Sequence, residues 1–213
     1  MSRAEHWENV YQTKGPDQVS WFQAEARLSR QLIESLAPRK SSAIIDIGAG
    51  ASTLVDGLLD AGYTALTVLD LSPAALAIAR TRVGAHAHRV EWLAADVLEA
   101  ALPRQGFDVW HDRAVFHFLT ADADRRRYVE QVQRAVRPGG LVIVATFAED
   151  GPLKCSGLEV ARYSPAQLHA EFGAHFALLE SHRELHTTPS GATQAFTYCA
   201  CRVTTSARPQ AAA

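Results

Sequence analysis

The residues best placed for chemistry begin with Asp46-Ile47-Gly48-Ala49-Gly50, where an apolar run ends in an acid and two glycines stand one residue apart. Glycine lets backbone approach a ligand, and a helix behind such a turn offers free N–H groups and a positive dipole end. The turn suits a nucleotide-like ligand, although G-x-G also occurs in ordinary strand-to-helix connections. A dinucleotide fingerprint wants a third glycine, and Thr53 stands at its place. Asp70, in VLDLS and followed by Leu71, can accept hydrogen bonds from two ribose hydroxyls or cap the next helix. Asp96, in AADVL, can take the exocyclic amine of adenine while Val97 and Leu98 cover the ring, or it can cap a short helix. With no basic residue nearby in sequence, the three acids fit a cationic ligand better than a pyrophosphate.

A second cluster, WHDRAVFHFL, contributes His111, Asp112, Arg113 and His117. His111 or Asp112 can take a proton from, or orient, an amine, thiol or hydroxyl; Arg113 can neutralise Asp112 or bind a carboxylate. A buried, mutually satisfied His-Asp-Arg network is the structural alternative. The turn-rich FAEDGPLKCSGLEVARYS offers Cys155, Arg162 and Tyr163 for substrate contact. No base lies near Cys155 in sequence, so packing accounts for it better than covalent catalysis.

These side chains need strand ends to hold them. Apolar, β-branched runs at 43–47, 65–69, 90–94, 107–110 and 141–147 alternate with helical patterns, the rhythm of a parallel sheet wound on both faces. Ser72-Pro73 and Ser164-Pro165 open helices, the second with Gln167 placed for a capping box, and Arg137-Pro138-Gly139-Gly140 stops the helix from about Asp122. HFALLESHREL and TQAFTYCACRV have no helix between them and predict a terminal antiparallel hairpin, giving seven strands.

At 213 residues and 47% hydrophobic content, the chain suits one domain. A net charge of -2, from 21 basic and 23 acidic side chains, supplies no field to draw nucleic acid. No 18-residue apolar window and no signal-peptide layout is visible, which points to a cytoplasmic protein without a membrane partner. Three cysteines without a C-x-x-C clamp argue against a structural metal or disulfide framework; Cys199 and Cys201 share a strand face, where they behave as small apolar residues.

DIGAG, VLDLS, AADVL, FDVWHDR and VRPGG, in this order, resemble the motifs of class I S-adenosylmethionine-dependent methyltransferases over roughly Ser41 to Phe147. The resemblance implies a Rossmann-like α/β fold: a doubly wound sheet of order 3-2-1-4-5-7-6, strand 7 antiparallel, with helices on both faces. It also implies S-adenosyl-L-methionine as cofactor and S-adenosyl-L-homocysteine as product, with Asp46, Gly48 and Gly50 at the motif that meets the methionine portion. Asp70 with Leu71 would take the ribose, and Asp96 with Val97 the adenine. W-x-x-x-Y followed by S-W-F-Q is similar to the N-terminal element of a branch that includes small bacterial proteins of unassigned substrate and eukaryotic protein-lysine methyltransferases.

On that likeness, residues 1–40 form an aromatic lid and helix over a methyltransferase domain, 41–203, with 204–213 as a flexible tail. Tyr11, Trp21 and Phe22 would line the pocket, Trp21 toward the cofactor, since an aromatic face beside a sulfonium is favourable and excludes water. Packing of these aromatics on the sheet is the alternative. In this fold the end of strand four faces the transferring methyl, which makes His111, Asp112 and Arg113 the catalytic candidates. His117, Cys155, Arg162 and Tyr163 join Tyr11 and Phe22 as substrate contacts. An N/D-P-P-Y signature is absent, which counts against DNA-base methylation. The expected activity is methyl transfer to an N, S or O nucleophile of a small molecule, by a monomer or homodimer. Protein-lysine methylation is the alternative within that chemistry; a nicotinamide-dependent oxidoreductase and a non-catalytic nucleoside-binding module are the alternatives outside it.

Overall fold

Buried strands written as continuous apolar runs build the centre of the molecule, a computed structural model that describes residues 2–204. The expected tail, apart from Thr204, lies outside the described residues. Strands β1 (Ala43–Ile47), β2 (Ala65–Asp70), β3 (Val90–Ala94), β4 (Phe107–Arg113) and β5 (Val136–Phe147) pair in parallel. The hairpin of β6 (Phe176–Thr187) and β7 (Thr193–Val203) completes the sheet, with β7 antiparallel to both β5 and β6. The spatial order is 3-2-1-4-5-7-6.

Helices cover both faces: α1 (Arg3–Thr13), α2 (Arg27–Leu36), α3 (Leu54–Asp60), α4 (Pro73–Val83), α5 (Asp122–Ala135) and α6 (Pro165–Phe172). Their starts follow cap chemistry. The Ser72 hydroxyl accepts from Ala75 N, and Ser164 with Gln167 forms a reciprocal capping box. Ile33, Leu58 and Leu76 from α2, α3 and α4 pack against Ile44, Val68 and Val109 on one sheet face. Tyr128, Val132 and Phe172 from α5 and α6 pack against Ile45, Trp110 and Val144 on the other. Each such side chain, fully buried, contributes about 1.5–3 kcal/mol. Cys199 and Cys201 sit in that second layer as free, buried thiols that burial pushes up to about 11 and about 12.

Two strands run longer than the apolar pattern predicts. β4 continues past its apolar run through His111, Asp112 and Arg113, so all three lie within the strand. β5 begins at Val136, not Leu141: Val136 pairs with Phe107 and Leu141 with Val109, and residues 137–140 bulge out between them. Arg137 braces the bulge, its Nη1 donating to Asp108 Oδ1 at 2.6 Å. No described helix is long and apolar enough to cross a membrane.

Candidate cofactor and acceptor site

The β1–α3 turn takes its shape from two left-handed residues, Gly48 (φ +57°) and Gly50 (φ +53°). A Cβ on Gly48 would lie 2.0 Å from Val115 Cγ2, and one on Gly50 would lie 2.1 Å from the Tyr11 hydroxyl. The turn is therefore a bare-backbone cradle that side chains would fill. Asp70, ending the neighbouring β2, holds it: Oδ2 accepts from Gly50 N at 2.7 Å and Oδ1 from Ser72 N at 2.8 Å. Burial, reinforced by the nearby Asp46 charge, pushes the Asp70 carboxyl up to about 6 despite these bonds.

A cleft of about 740 Å³, partly open to solvent, lies over this turn at the carboxyl ends of the strands. Leu71, Asp96 and Val97 border it on one side, and Val115, Phe118 and Cys155 on the other. Asp96 Oδ1 caps the following turn by accepting from Leu98 N at 2.9 Å, while the residue still borders the cleft. A smaller cleft of about 520 Å³ shares Gly48, Trp21 and Arg113 with the first and reaches Asp46, His111 and Phe22.

The N-terminal segment closes both. Glu8 Oε2 accepts from Ser72 Oγ at 2.7 Å and from Ala74 N at 3.1 Å, tying α1 to the start of α4, where a carboxylate is favoured. Arg3 reaches Asp124 on α5 at 3.1 Å, so α1 lies across the cleft mouth with an anchor on each side. Beneath it Trp7 meets Trp21 and Phe118 edge-on, with ring centroids 5.5 and 5.1 Å apart, and Trp21 Nε1 donates to the Tyr11 hydroxyl at 3.3 Å. Trp7, absent from the expected pocket, stands four residues before Tyr11; that spacing puts both on one helix face and could have flagged it.

The strand-four cluster does not act as one group, because successive strand residues point to opposite faces. Asp112 turns away from both clefts. Its carboxylate accepts from Val115 N at 2.9 Å, from Phe116 N at 3.1 Å and from the Tyr128 hydroxyl at 2.5 Å. The left-handed Ala114 (φ +72°) aims those two N–H groups at it. Burial pushes Asp112 up to about 6, yet it has no path to an acceptor, and the expectation of a catalytic Asp112 is corrected to a clamp on the turn after β4. His117 is likewise displaced: it is fully buried, its Nδ1 accepts from Phe147 N at 3.3 Å, and burial holds it down to about 3. Tyr163 packs on Phe116 in the layer between the sheet and α5, and exposed Arg162 donates to Gly151 O at 3.1 Å; neither borders a cleft.

His111 and Arg113 share the other face. His111 is paired on both nitrogens, Nδ1 to Asp46 at 2.6 Å and Nε2 to Ser29 at 2.9 Å. Arg113 donates to Glu184 Oε2 at 3.0 Å, to the Tyr198 hydroxyl at 2.9 Å and to Trp21 O at 3.2 Å, with its guanidinium 4.1 Å from the Phe196 ring centroid. Gln23 completes the Glu184 shell at 3.0 Å. Arg113 thus clasps the lid segment to the terminal hairpin at the wall of both clefts. Glu184, Tyr198, Gln23 and Ser29 carry no sequence signal that links them to it.

Two features suit a nucleoside that also carries positive charge: the glycine cradle, and Asp46 Oδ2, a buried carboxylate oxygen with no protein partner. Among the described residues no group of three or more His, Cys, Asp or Glu side chains is placed to hold a metal ion. Residues 44–140 match the family described as "Methyltransferase domain". The chain is 23% identical over 156 residues to an eEF1A lysine and N-terminal methyltransferase of Bos taurus; the match covers 70% of this chain and 22% of that protein, so the chain spans about a fifth of its length. In fold it aligns over 97% of its length with 94% of a protein of echinomycin biosynthesis, where a disulfide bond becomes a thioacetal group (TM-score 0.78, 20% identity). It also aligns over 85% of its length with 80% of the 1,6-didemethyltoxoflavin-N1-methyltransferase of Burkholderia thailandensis, solved with S-adenosylhomocysteine (TM-score 0.66, 23% identity). The matched segment, the strand order and the cradle those strands build are those of the class I S-adenosylmethionine-dependent methyltransferase fold.

Proposed function

We propose that the chain methylates a small, largely apolar molecule on an N, S or O nucleophile, in the part of the larger cleft walled by Trp7, Trp21, Val115, Phe118 and Cys155. Asp70 and Asp96 would hold the nucleoside, and Gly48, Gly50 and Asp46 the methionyl portion. S-adenosylmethionine supplies an activated methyl group on a sulfonium, so the chain's work is to orient the nucleophile and exclude water. The observation that carries the small-molecule reading is the character of the acceptor side. Apart from Asp70, Asp96 and the arginines, the titratable groups bordering the cleft are Cys155, a thiol that burial pushes up to about 12, and Tyr11, which burial and the Asp70 charge raise. Neither is a base at neutral pH, and Arg113 is a committed cation. An acceptor that brings its own lone pair suits such a wall better than a lysine ammonium, which must first lose a proton.

The test incubates the purified chain and S-adenosylmethionine with thiols, neutral amines and lysine peptides, and follows S-adenosylhomocysteine formation. Turnover on thiols or amines supports the reading. Turnover confined to lysine peptides overturns it in favour of protein methylation, an activity named in the bovine relative. Cofactor binding without turnover on any acceptor would instead favour a nucleoside-binding module.

A further inference from the structure

Ser29, His111 and Asp46 form a continuous buried line from α2 to β4 to β1. Their exposures are 1%, 3% and 4%, and the two contacts are 2.9 and 2.6 Å. The sheet register sets this up: Asp46 and His111 are direct partners on adjoining parallel strands, so their side chains leave the sheet together, under Ser29. Nδ1 of the ring lies against Asp46 Oδ1 and Nε2 against the Ser29 hydroxyl, which can serve as donor or acceptor. Both ring nitrogens are used, which leaves His111 none to offer a methyl acceptor. The line ends on one oxygen of Asp46. The other, Oδ2, is buried without a partner in a residue that borders the smaller cleft beside Gly48. A buried carboxylate oxygen with no donor is costly, and an ammonium arriving there removes that cost.

We propose that Ser29 and His111 are positioning residues that hold Asp46 with Oδ1 occupied and Oδ2 turned toward the α-ammonium of the cofactor's amino-acid tail. This rests on the cleft being the S-adenosylmethionine site. It assigns to His111 a part in cofactor affinity, not in proton removal from the acceptor.

The test uses two ligands that differ only by that tail. S-adenosylhomocysteine carries the ammonium; 5′-methylthioadenosine keeps the adenosine and the sulfur but lacks the amino-acid group. Calorimetric titration of His111→Phe should show about tenfold or greater weakening for S-adenosylhomocysteine, with 5′-methylthioadenosine within about twofold of the unaltered chain. Ser29→Ala should move the same ligand in the same direction by about threefold, since it loosens the ring without removing it. Equal losses for the two ligands would show that His111 only supports the fold, and unchanged S-adenosylhomocysteine affinity in both variants would also overturn the relay. If His111→Phe does not fold by circular dichroism, Ser29→Ala decides on the same criterion. An unaltered chain that binds neither ligand fails the cofactor reading itself, and the relay with it.

Discussion

Replacing Arg113 with methionine removes a cation while keeping an unbranched chain of similar reach. The pair it breaks is mostly buried, with side-chain exposures of 9% for Arg113 and 16% for Glu184. Removing one partner of a buried ion pair costs about 3–5 kcal/mol, because the other charge is left uncompensated. Glu184 keeps two donors, the Tyr198 hydroxyl at 3.1 Å and Gln23 Nε2 at 3.0 Å, which sets the expectation at the low end, about 3 kcal/mol. Loss of the guanidinium over Phe196 adds about 0.5–1 kcal/mol. Adding Glu184→Gln should recover about 2 kcal/mol of this, since no bare charge then remains. Urea unfolding followed by tryptophan fluorescence reads both numbers; with a slope of about 2 kcal/mol per M, the single variant should unfold about 2 M earlier. A loss below about 1 kcal/mol in Arg113→Met, or a double variant no more stable than the single, would refute a coupled buried clasp.

Gly48→Ala should lower stability by more than about 1 kcal/mol, the cost of a left-handed alanine plus contact with Val115, and should weaken S-adenosylhomocysteine. Adding Val115→Ala should restore the steric part and not the backbone part; thermal melts of the three chains separate them. Asp112 and pH give a second check. Its folded carboxyl keeps its proton up to about 6, whereas the unfolded one releases it near 3.8, so the folded state binds more protons between those values. Its contribution is therefore fully present below pH ~4 and is lost as pH rises through ~6, by up to about 3 kcal/mol. Asp112→Asn should accordingly gain stability relative to the unaltered chain as unfolding is measured from pH 4 to 7, and a difference that does not change with pH would contradict the burial account.

The turn and the acids proposed for the cofactor were legible in the sequence as a group because they are local. The glycine turn and the acids at the carboxyl ends of β1, β2 and β3 occupy fixed places in a β-α rhythm, and the family resemblance of those motifs supplied the strand order. The strand-four residues were harder, for a geometric reason: the apolar pattern stops at Trp110, and the three polar residues at the strand's end read as one catalytic cluster. β4 actually carries them on, and its alternation sends Asp112 to Tyr128 while His111 and Arg113 go to the opposite face. Their partners lie far off in sequence, Ser29 by 82 residues from His111 and Glu184 by 71 from Arg113. Such pairings come from tertiary packing of α2 and the β6–β7 hairpin, which periodicity does not encode. Arg162 and Tyr163 were grouped with Cys155 because one loop holds all three, but after Lys154–Cys155 pairs antiparallel with Leu158–Glu159 that loop turns Tyr163 into the layer against Phe116.

The central claim is that the cradle over Gly48 and Gly50 holds a sulfonium nucleoside. Its most direct test is calorimetric titration of the purified, ligand-free chain with S-adenosylmethionine, S-adenosylhomocysteine and NAD in parallel. The account predicts binding of the first two in the micromolar range and no heat with NAD. Binding of NAD with neither of the others would mean that the turn and Asp70 do hold a nucleotide, but of a kind that the rest of the site, from Asp46 to the aromatic lid, has been read wrongly to exclude.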